Sequence, residues 1–354
     1  MTIDAVSLLQ DLVRLPSPSG KEEAVVARLE SAFRELGWTP VVSGRNLTTT
    51  LDGGEGPLLL LNSHTDTVPV GEDWTKDPLA AGIEDGRIYG RGTNDAKGCL
   101  TAMILGAAAA FRTRAPKGRV MIAASCEEEV LGQGLEKLLP TLPRPDAAVV
   151  GEPTGLRPAV AQKGLIVLEI TAVGRSAHAA HGGGVNAVEA AARDVLALAG
   201  LSFDRAHPAL GRPSLNVTQI SGGSRHNVIP DRCKLVVDIR NTPAYAADEI
   251  VARVRETVQG EIFVRSSRLG PVETDPHHPI VKAALSANPG SSPYGSATLS
   301  DWVFLKGVPT VKAGPGDTRR SHTPDEYLEV AELQAGVLFY ERLIRNYFEQ
   351  AAAR

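Results

Sequence analysis

Apolar residues recur at helical spacing from the start of the chain. Val6, Leu9, Leu12 and Val13 share one face, which predicts a first helix that Pro16 and Pro18 stop. A second helix is predicted over Lys21–Leu36, ending at Gly37, a residue suited to a helix C-cap. The pattern then becomes Pro57-Leu58-Leu59-Leu60-Leu61-Asn62, a short continuous apolar run that suits a strand buried on both faces. Gly98–Phe111 predicts an Ala-rich buried helix, and Arg119–Ala124 and Pro145–Gly151 predict further buried strands. This alternation predicts a doubly wound, mainly parallel α/β layer with helices on both faces.

From about Lys163 the texture changes. Gly164–Val173 alternates apolar and polar residues, as a strand with one wet face does. A helix at Asn186–Ala199, strands at Ser214–Ile220 and Lys234–Arg240, a helix at Ala247–Val258 and a short strand at Glu261–Val264 follow. That is βαββαβ order, the ferredoxin-like signature. Near Gly270-Pro271 the α/β texture resumes, with a helix at Pro279–Ala287, a strand at Pro309–Ala313 and a closing helix from Tyr327 to Gln350. The expected architecture is one α/β domain, residues 1–162 and 271–354, interrupted by an inserted α+β domain at 163–270.

Composition narrows the class. At 354 residues the chain has room for roughly two domains. With 43% hydrophobic and 22% charged residues it is neither disordered, collagen-like nor a disulfide miniprotein. Lys plus Arg is 37 and Asp plus Glu is 41, so the net charge is 37 − 41 = −4, without the basic field that nucleic-acid binding needs. The longest apolar stretch, Thr101–Phe111, is too short to cross a bilayer, and no secretion signal is visible in the first residues. Cys99, Cys126 and Cys233 are too few and too scattered for a disulfide framework. The expectation is a soluble cytoplasmic protein with neither a nucleic-acid nor a membrane partner.

Five polar segments stand against this background. Ser63-His64-Thr65-Asp66-Thr67-Val68 follows the first buried strand, and in extended conformation His64 and Asp66 point to one side. A carboxylate beside a ligating imidazole fixes its tautomer; the bland alternative is a capping His beside a turn Asp. Gly90-Arg91-Gly92-Thr93-Asn94-Asp95-Ala96-Lys97-Gly98 has neither dinucleotide nor P-loop spacing, and an Asp there also reads as a helix cap. Glu127-Glu128-Glu129 is costly at a strand end unless a cation neutralises it, and is a solvated charge run if exposed. Gly151-Glu152-Pro153-Thr154 follows another strand, and Ser321-His322-Thr323-Pro324-Asp325-Glu326 precedes the last helix. Open α/β sheets bind ligands at the carboxyl ends of their strands, where these segments collect. Mixed imidazole and carboxylate donors suit zinc, or cobalt or manganese.

The set SHTDTV, GRGTNDAKG, EEEV, GEPT and SHTPDEYL resembles the M20 family of dinuclear zinc peptidases and deacylases, over essentially the whole chain and in family order. The resemblance implies two Zn²⁺, with Co²⁺ possible. His64, Asp95 and Glu152 would serve one metal, and Asp95, Glu129 and His322 the other, with Asp95 shared. Asp66 would orient His64, and Glu128 would act as general base. The triplet also admits Glu127 as base with Glu128 as ligand; Gly134, five residues after Glu129, favours the first register. Asn94 stands where the family more commonly has Asp, and a cis peptide is expected before the shared Asp95.

In the inserted domain, Gly174-Arg175-Ser176-Ala177-His178-Ala179 resembles the segment whose His stabilises the oxyanion in the partner subunit's site, which implies a homodimer that closes about a hinge. His181 is the nearby competitor. Asn227 and Arg240 match positions that line the substrate, and an Arg fork suits a carboxylate. Gly314–Pro324 looks most like the lysine/ornithine branch of the family. The implied reaction is release of lysine or ornithine from an N-acyl amide, or from the γ-glutamyl amide of an acidic amino-group carrier protein, in amino-acid biosynthesis. Arg319 and Arg320 are candidate contacts for that carrier. Acetylornithine deacetylase, succinyl-diaminopimelate desuccinylase and general carboxypeptidase activities are the alternatives. A non-catalytic metal-binding scaffold and an unrelated α/β binding protein are the readings from other classes.

Overall fold

The computed structural model describes residues 3–352 apart from 131 and 133. The chain divides into two compact units, Met1–Val160 with Glu273–Tyr294 and Ser300–Arg354, and Ala161–Val272 with Gly295–Leu299. The boundary runs within a few residues of 163 and 270, but the short segment 295–299 also joins the second unit.

The first unit is built on a mixed sheet. Its strands lie in the order Val41–Ser43, Asn46–Asp52, Arg119–Ser125, Leu58–His64, Ala147–Val150, Thr310–Lys312 and Ala159–Gln162. The four central strands, from Arg119–Ser125 to Thr310–Lys312, are mutually parallel. Asn46–Asp52 is antiparallel to its neighbour, and its alternation of Thr and Leu gave little apolar signal in the sequence. Every residue of Leu58–His64 is buried, because helices cover both faces of a central parallel strand. Helices Ala5–Val13, Glu23–Glu35, Lys97–Thr113, Pro279–Ala287 and Val330–Ala352 supply that cover. The closing helix starts later than its apolar pattern implied. Tyr327–Glu329 is instead a strand paired antiparallel with Arg87–Tyr89, because the chain there is still needed to close the glycine-rich loop.

The second unit is a four-stranded antiparallel sheet in the order Ser214–Gly222, Arg232–Arg240, Leu165–Val173, Glu261–Leu269. The two helices Ala187–Gly200 and Ala247–Thr257 pack with Ile166, Leu168, Ile170, Leu235, Val237 and Ile239 into a separate core. Asn186 caps the first of these helices, accepting from the backbone N–H of Val188 and Glu189. Strand order and connectivity are those of the ferredoxin-like fold. No helix among the described residues is long and apolar enough to cross a membrane.

The glycine-loop helix and the closing helix approach closely at Gly106. A Cβ built there would lie 2.6 Å from the Tyr340 Cβ and 2.8 Å from the Val337 carbonyl oxygen. Alanine is the better helix former by about 1 kcal/mol, but overpacking against backbone costs about 1–3 kcal/mol. Gly106→Ala is therefore expected to destabilise the protein in urea unfolding, although it removes a helix glycine.

Candidate metal centre and active site

The parallel strands converge on one edge, and four of the polar segments start there. His64 is the last residue of its strand. The Glu127–Glu129 turn follows the neighbouring Arg119–Ser125, Glu152 follows Ala147–Val150, and the loop to His322 follows Thr310–Lys312. Asp95 enters from the loop that opens the helix Lys97–Thr113.

His64 is 1% exposed. Its Nδ1 lies 3.0 Å from the Asp66 carbonyl oxygen, and a carbonyl can only accept, so Nδ1 carries a proton and Nε2 is the nitrogen turned toward the carboxylates. That Nε2 faces Asp95 Oδ1 at 3.2 Å and Glu152 Oε1 at 3.8 Å. His322 Nε2 faces Glu129 Oε2 at 2.9 Å and Asp95 Oδ2 at 3.6 Å. The two oxygens of Asp95 thus point to two different imidazoles. Donor atoms around a tetrahedral ion with bonds of about 2.1 Å stand about 3.4 Å apart. The spacings here, 2.9 to 3.8 Å, fit ions between these donors. Ligand atoms of His64, Asp95 and Glu129, and of His64, Glu128 and Glu152, also lie within 4.8 Å of one another.

The electrostatics point the same way. Burial and the Asp95 carboxylate push Glu152 up to about 8. Burial, reinforced by Glu152, Asp301 and Glu129, raises Glu128 well above the ordinary carboxylate range. His64 is raised despite its burial, because Asp66, Asp95 and Glu128 favour its charged form. A cluster that holds protons on carboxylates and on imidazole is short of positive charge, and a divalent cation supplies it. Lys312, 1% exposed at the end of its strand, is lowered by burial and held up by Glu152, Glu128 and Asp95.

The three glutamates of the triplet face different partners. Glu127 has φ of +57°, and its carboxylate pairs with Arg45 and joins neither donor group. Arg45 Nε in turn lies 2.6 Å from the buried Glu22, whose Oε1 accepts from the Glu127 N–H at 3.1 Å. Glu128 stands with His64 and Glu152, and Glu129 with His322 and also with His64 and Asp95. Gly134 closes this turn: a Cβ there would lie 1.8 Å from the Cys126 carbonyl oxygen, so no other residue fits.

Asp66 meets His64 through both its carboxylate and its carbonyl. The carboxylate is 3.5 Å from His64 Nδ1, and the shorter contact to that nitrogen is the Asp66 carbonyl. The carboxylate also accepts from the backbone N–H of Glu128 (3.0 Å) and Glu129 (3.1 Å) and from the Ser19 hydroxyl (2.7 Å). The chain bends after His64, which brings the carbonyl as well as the side chain to the ring. The cis peptide sits one bond later than expected, between Asp95 and Ala96.

The second unit holds the remaining expected residues. His178 is exposed, and its Nδ1 accepts from the Ala180 N–H at 3.1 Å, which leaves Nε2 as a donor in the neutral ring. His181 stacks beside it with ring centres 4.9 Å apart. Asn227 is exposed, and its carbonyl accepts from the Ala179 N–H at 3.0 Å. Arg240 makes a two-pronged pair with Asp238 at 2.8 and 3.1 Å, so its fork is already engaged. In the first unit, Arg320 donates to Glu332 at 2.6 Å and lies over the Tyr327 ring, whereas Arg319 is 87% exposed and pairs with Asp317 two residues before it.

Sequence patterns gave no signal for several residues around the site. Asp301, 4% exposed, accepts from the Ser125 hydroxyl at 2.6 Å, and Ser125 accepts from Asn62 at 2.9 Å. Burial pushes Asp301 up to about 6. Asp301 begins a short 3₁₀ turn far along the chain, with no local motif around it. Lys312 had a visible signal, a lysine within an apolar strand.

A model of peptidase family M20/M25/M40 matches residues 60–346. The chain belongs to this family. Solved structures share its fold. A tripeptidase from Staphylococcus aureus is 22% identical with a TM-score of 0.81, covering 98% of each chain. Aminopeptidase PepT from Bacillus cereus is 21% identical with a TM-score of 0.78, covering 97% of this chain and 98% of its own. A dinuclear metal-binding M20 peptidase from Bacillus subtilis is 17% identical with a TM-score of 0.73, covering 98% of each. The protein is an M20-family hydrolase.

Asn94, where the M20 family more commonly has Asp, ties the two ligand loops together. Its Oδ1 accepts from the Asp317 N–H at 3.0 Å, and its Nδ2 donates to the Asp317 carbonyl at 3.1 Å and to Ser321 Oγ at 3.2 Å. An aspartate keeps the first bond but sets a carboxylate oxygen against the carbonyl. Asn94→Asp is expected to cost about 1–3 kcal/mol in urea unfolding, while Asn94→Ala, which removes the repulsion along with the bonds, costs no more.

Proposed function

We propose that this protein hydrolyses an amide to release lysine or ornithine, either from a simple N-acyl derivative or from the γ-glutamyl end of an acidic amino-group carrier protein. The observation that carries the hydrolytic reading is Asp95, whose two oxygens face His64 and His322 separately. In this reading His64, Asp95 and Glu152 would hold one metal ion and Asp95, Glu129 and His322 the other, zinc or cobalt by donor chemistry. The chemistry such ions would supply is a lowered pKa for water and polarisation of the substrate carbonyl.

The residues of the chain perform the remaining steps. Glu128, beside His64 and Glu152 but outside the paired donors of His322, takes the proton of the attacking water and delivers it to the leaving amine nitrogen. Asp66 fixes Glu128 and Glu129 through their backbone N–H groups. His178 presents an Nε2–H, the donor an oxyanion needs, and we assign it to the site of a partner copy in a homodimer. Asn227 and Arg240 are assigned to substrate contact. Arg240 must exchange Asp238 for a substrate carboxylate, or hold it through the same pair. Arg319 is the exposed cation left to meet an acidic carrier, since Arg320 is held by Glu332 and Tyr327.

The substrate assignment rests on the likeness of Gly314–Pro324 to the lysine/ornithine branch, and a panel tests it. Metal-stripped protein reloaded with Zn²⁺ or Co²⁺ is assayed on acetyl-, succinyl- and γ-glutamyl-linked lysine and ornithine, the carrier conjugate included, with di- and tripeptides for comparison. Metal-dependent release of lysine or ornithine is the expected result; cleavage of peptides alone moves the enzyme to the peptidases.

Substitution separates the three glutamates. Glu128→Gln is expected to lower kcat by at least about 10²-fold, the scale of general-base catalysis, with both metals still bound. Glu127→Gln is expected to keep kcat within a few-fold and to lose stability, since it breaks the pair with Arg45. The reverse pattern assigns the base to Glu127.

Metal uptake is also expected to depend on pH. Glu152 sits at about 8, so the ion-free site at pH 7 holds protons that a cation must displace. Calorimetry of Zn²⁺ binding in buffers of different ionisation heat should show protons released at pH 7 and fewer at pH 9. Affinity should rise with pH over that interval, and a proton count unchanged across it contradicts the assignment.

A further inference from the structure

Glu326 lies four residues beyond His322 and is 1% exposed, yet it belongs to neither donor group. Its Oε1 accepts three backbone N–H groups, from Gly92 (3.0 Å), Asn94 (2.9 Å) and Asp95 itself (3.0 Å). Its Oε2 accepts from Arg91 Nη1 at 2.6 Å, and the Arg91 side chain is 4% exposed. The Gly90 N–H donates back to the Glu326 carbonyl at 2.8 Å. Three N–H groups converge on one oxygen only when residues 92–95 curl into a concave nest, and such a nest selects an anion. Here the anion is a side chain from the loop that carries His322. A buried carboxylate is costly without partners, and Arg91 with three N–H groups, that of Asp95 among them, offsets part of that cost.

We propose that Glu326, with Arg91 as its counter-ion, is a positioning residue that sets the direction of Asp95 so that each of its oxygens faces one imidazole. The bond to the Asp95 N–H fixes that residue's backbone relative to the His322 loop, and Asn94 ties the same two loops from the other side. The shared ligand and the second imidazole therefore move as one body. This inference rests on the two-metal reading above.

The test uses the full-length apoprotein titrated with Co²⁺, read by visible absorption and calorimetry, with folding checked by circular dichroism. Glu326→Ala is expected to weaken Co²⁺ binding by about 10–100-fold, the usual effect of removing a group that orients a ligand, and to change the absorption spectrum. Glu326→Gln keeps an oxygen for the N–H groups but loses the charge facing Arg91, and is expected to recover part of that loss. Asp146→Asn is the structural control. Asp146 accepts from the Leu58 N–H at 2.7 Å, at the opposite end of the His64 strand, so this variant should lose stability and keep the wild-type affinity and spectrum. Folded Glu326 variants that bind two Co²⁺ with wild-type affinity and spectrum overturn the proposal while leaving the two-metal reading intact. Should Glu326→Ala fail to fold, Glu326→Gln decides by the same criterion. A wild-type protein that binds no Co²⁺ overturns both.

Discussion

The site depends on side-chain carboxylates that accept backbone N–H groups from the loops beside them. Asp66 holds Glu128 and Glu129, Glu22 holds Glu127, and Glu326 holds Gly92, Asn94 and Asp95. Each of these three carboxylates is essentially buried, so each bond forms where water cannot compete. The loops at the ends of the parallel strands have no ladder of their own to fix them. The carboxylates replace that ladder, and the donor atoms inherit its order.

This arrangement uses acidic residues for two opposite purposes. Asp95, Glu128, Glu129 and Glu152 crowd together with little compensating charge, which raises Glu128 and Glu152 and makes the cluster ready for cations. Glu22 and Glu326 have guanidinium partners in Arg45 and Arg91, and Asp66 and Glu326 accept from several N–H donors, so they serve as fixed acceptors, although burial and the Asp95 carboxylate push Glu326 up to about 7. Asp301 belongs to neither group. Burial pushes it up to about 6, and it accepts from the Ser125 hydroxyl, at the end of the strand beside that of His64. Acidic residues in the same small volume thus differ in role according to whether their neighbours are carboxylates or donors.

The three consecutive glutamates make the same point over 10 Å or less of chain. Their side chains are chemically identical, and their order alone left two registers open. The backbone separates them, because the positive φ at Glu127 turns that residue toward Arg45 while Asp66 captures the two N–H groups that follow. Gly134 allows the turn by letting the next segment approach the Cys126 carbonyl more closely than any Cβ permits.

The sequence by itself determined the alternation of buried strands and helices, the second unit's βαββαβ order and the segments from which His64, Asp95, Glu128, Glu129, Glu152 and His322 come. These are local properties, since apolar periodicity and continuous apolar runs report burial directly. Only the tertiary structure decided which oxygen of Asp95 faces which imidazole, that Asp66 meets His64 through its carbonyl as well as its carboxylate, and that Arg320 is already held. It alone brought Glu22, Arg45 and Asp301 to the site, from positions up to 279 residues apart along the chain (301 − 22), and gave Glu326 its partners. The physical reason is that a hydrogen bond is specified by distance and direction within a fraction of an ångström. The pattern of residue types fixes which faces are buried, but not how two buried loops meet.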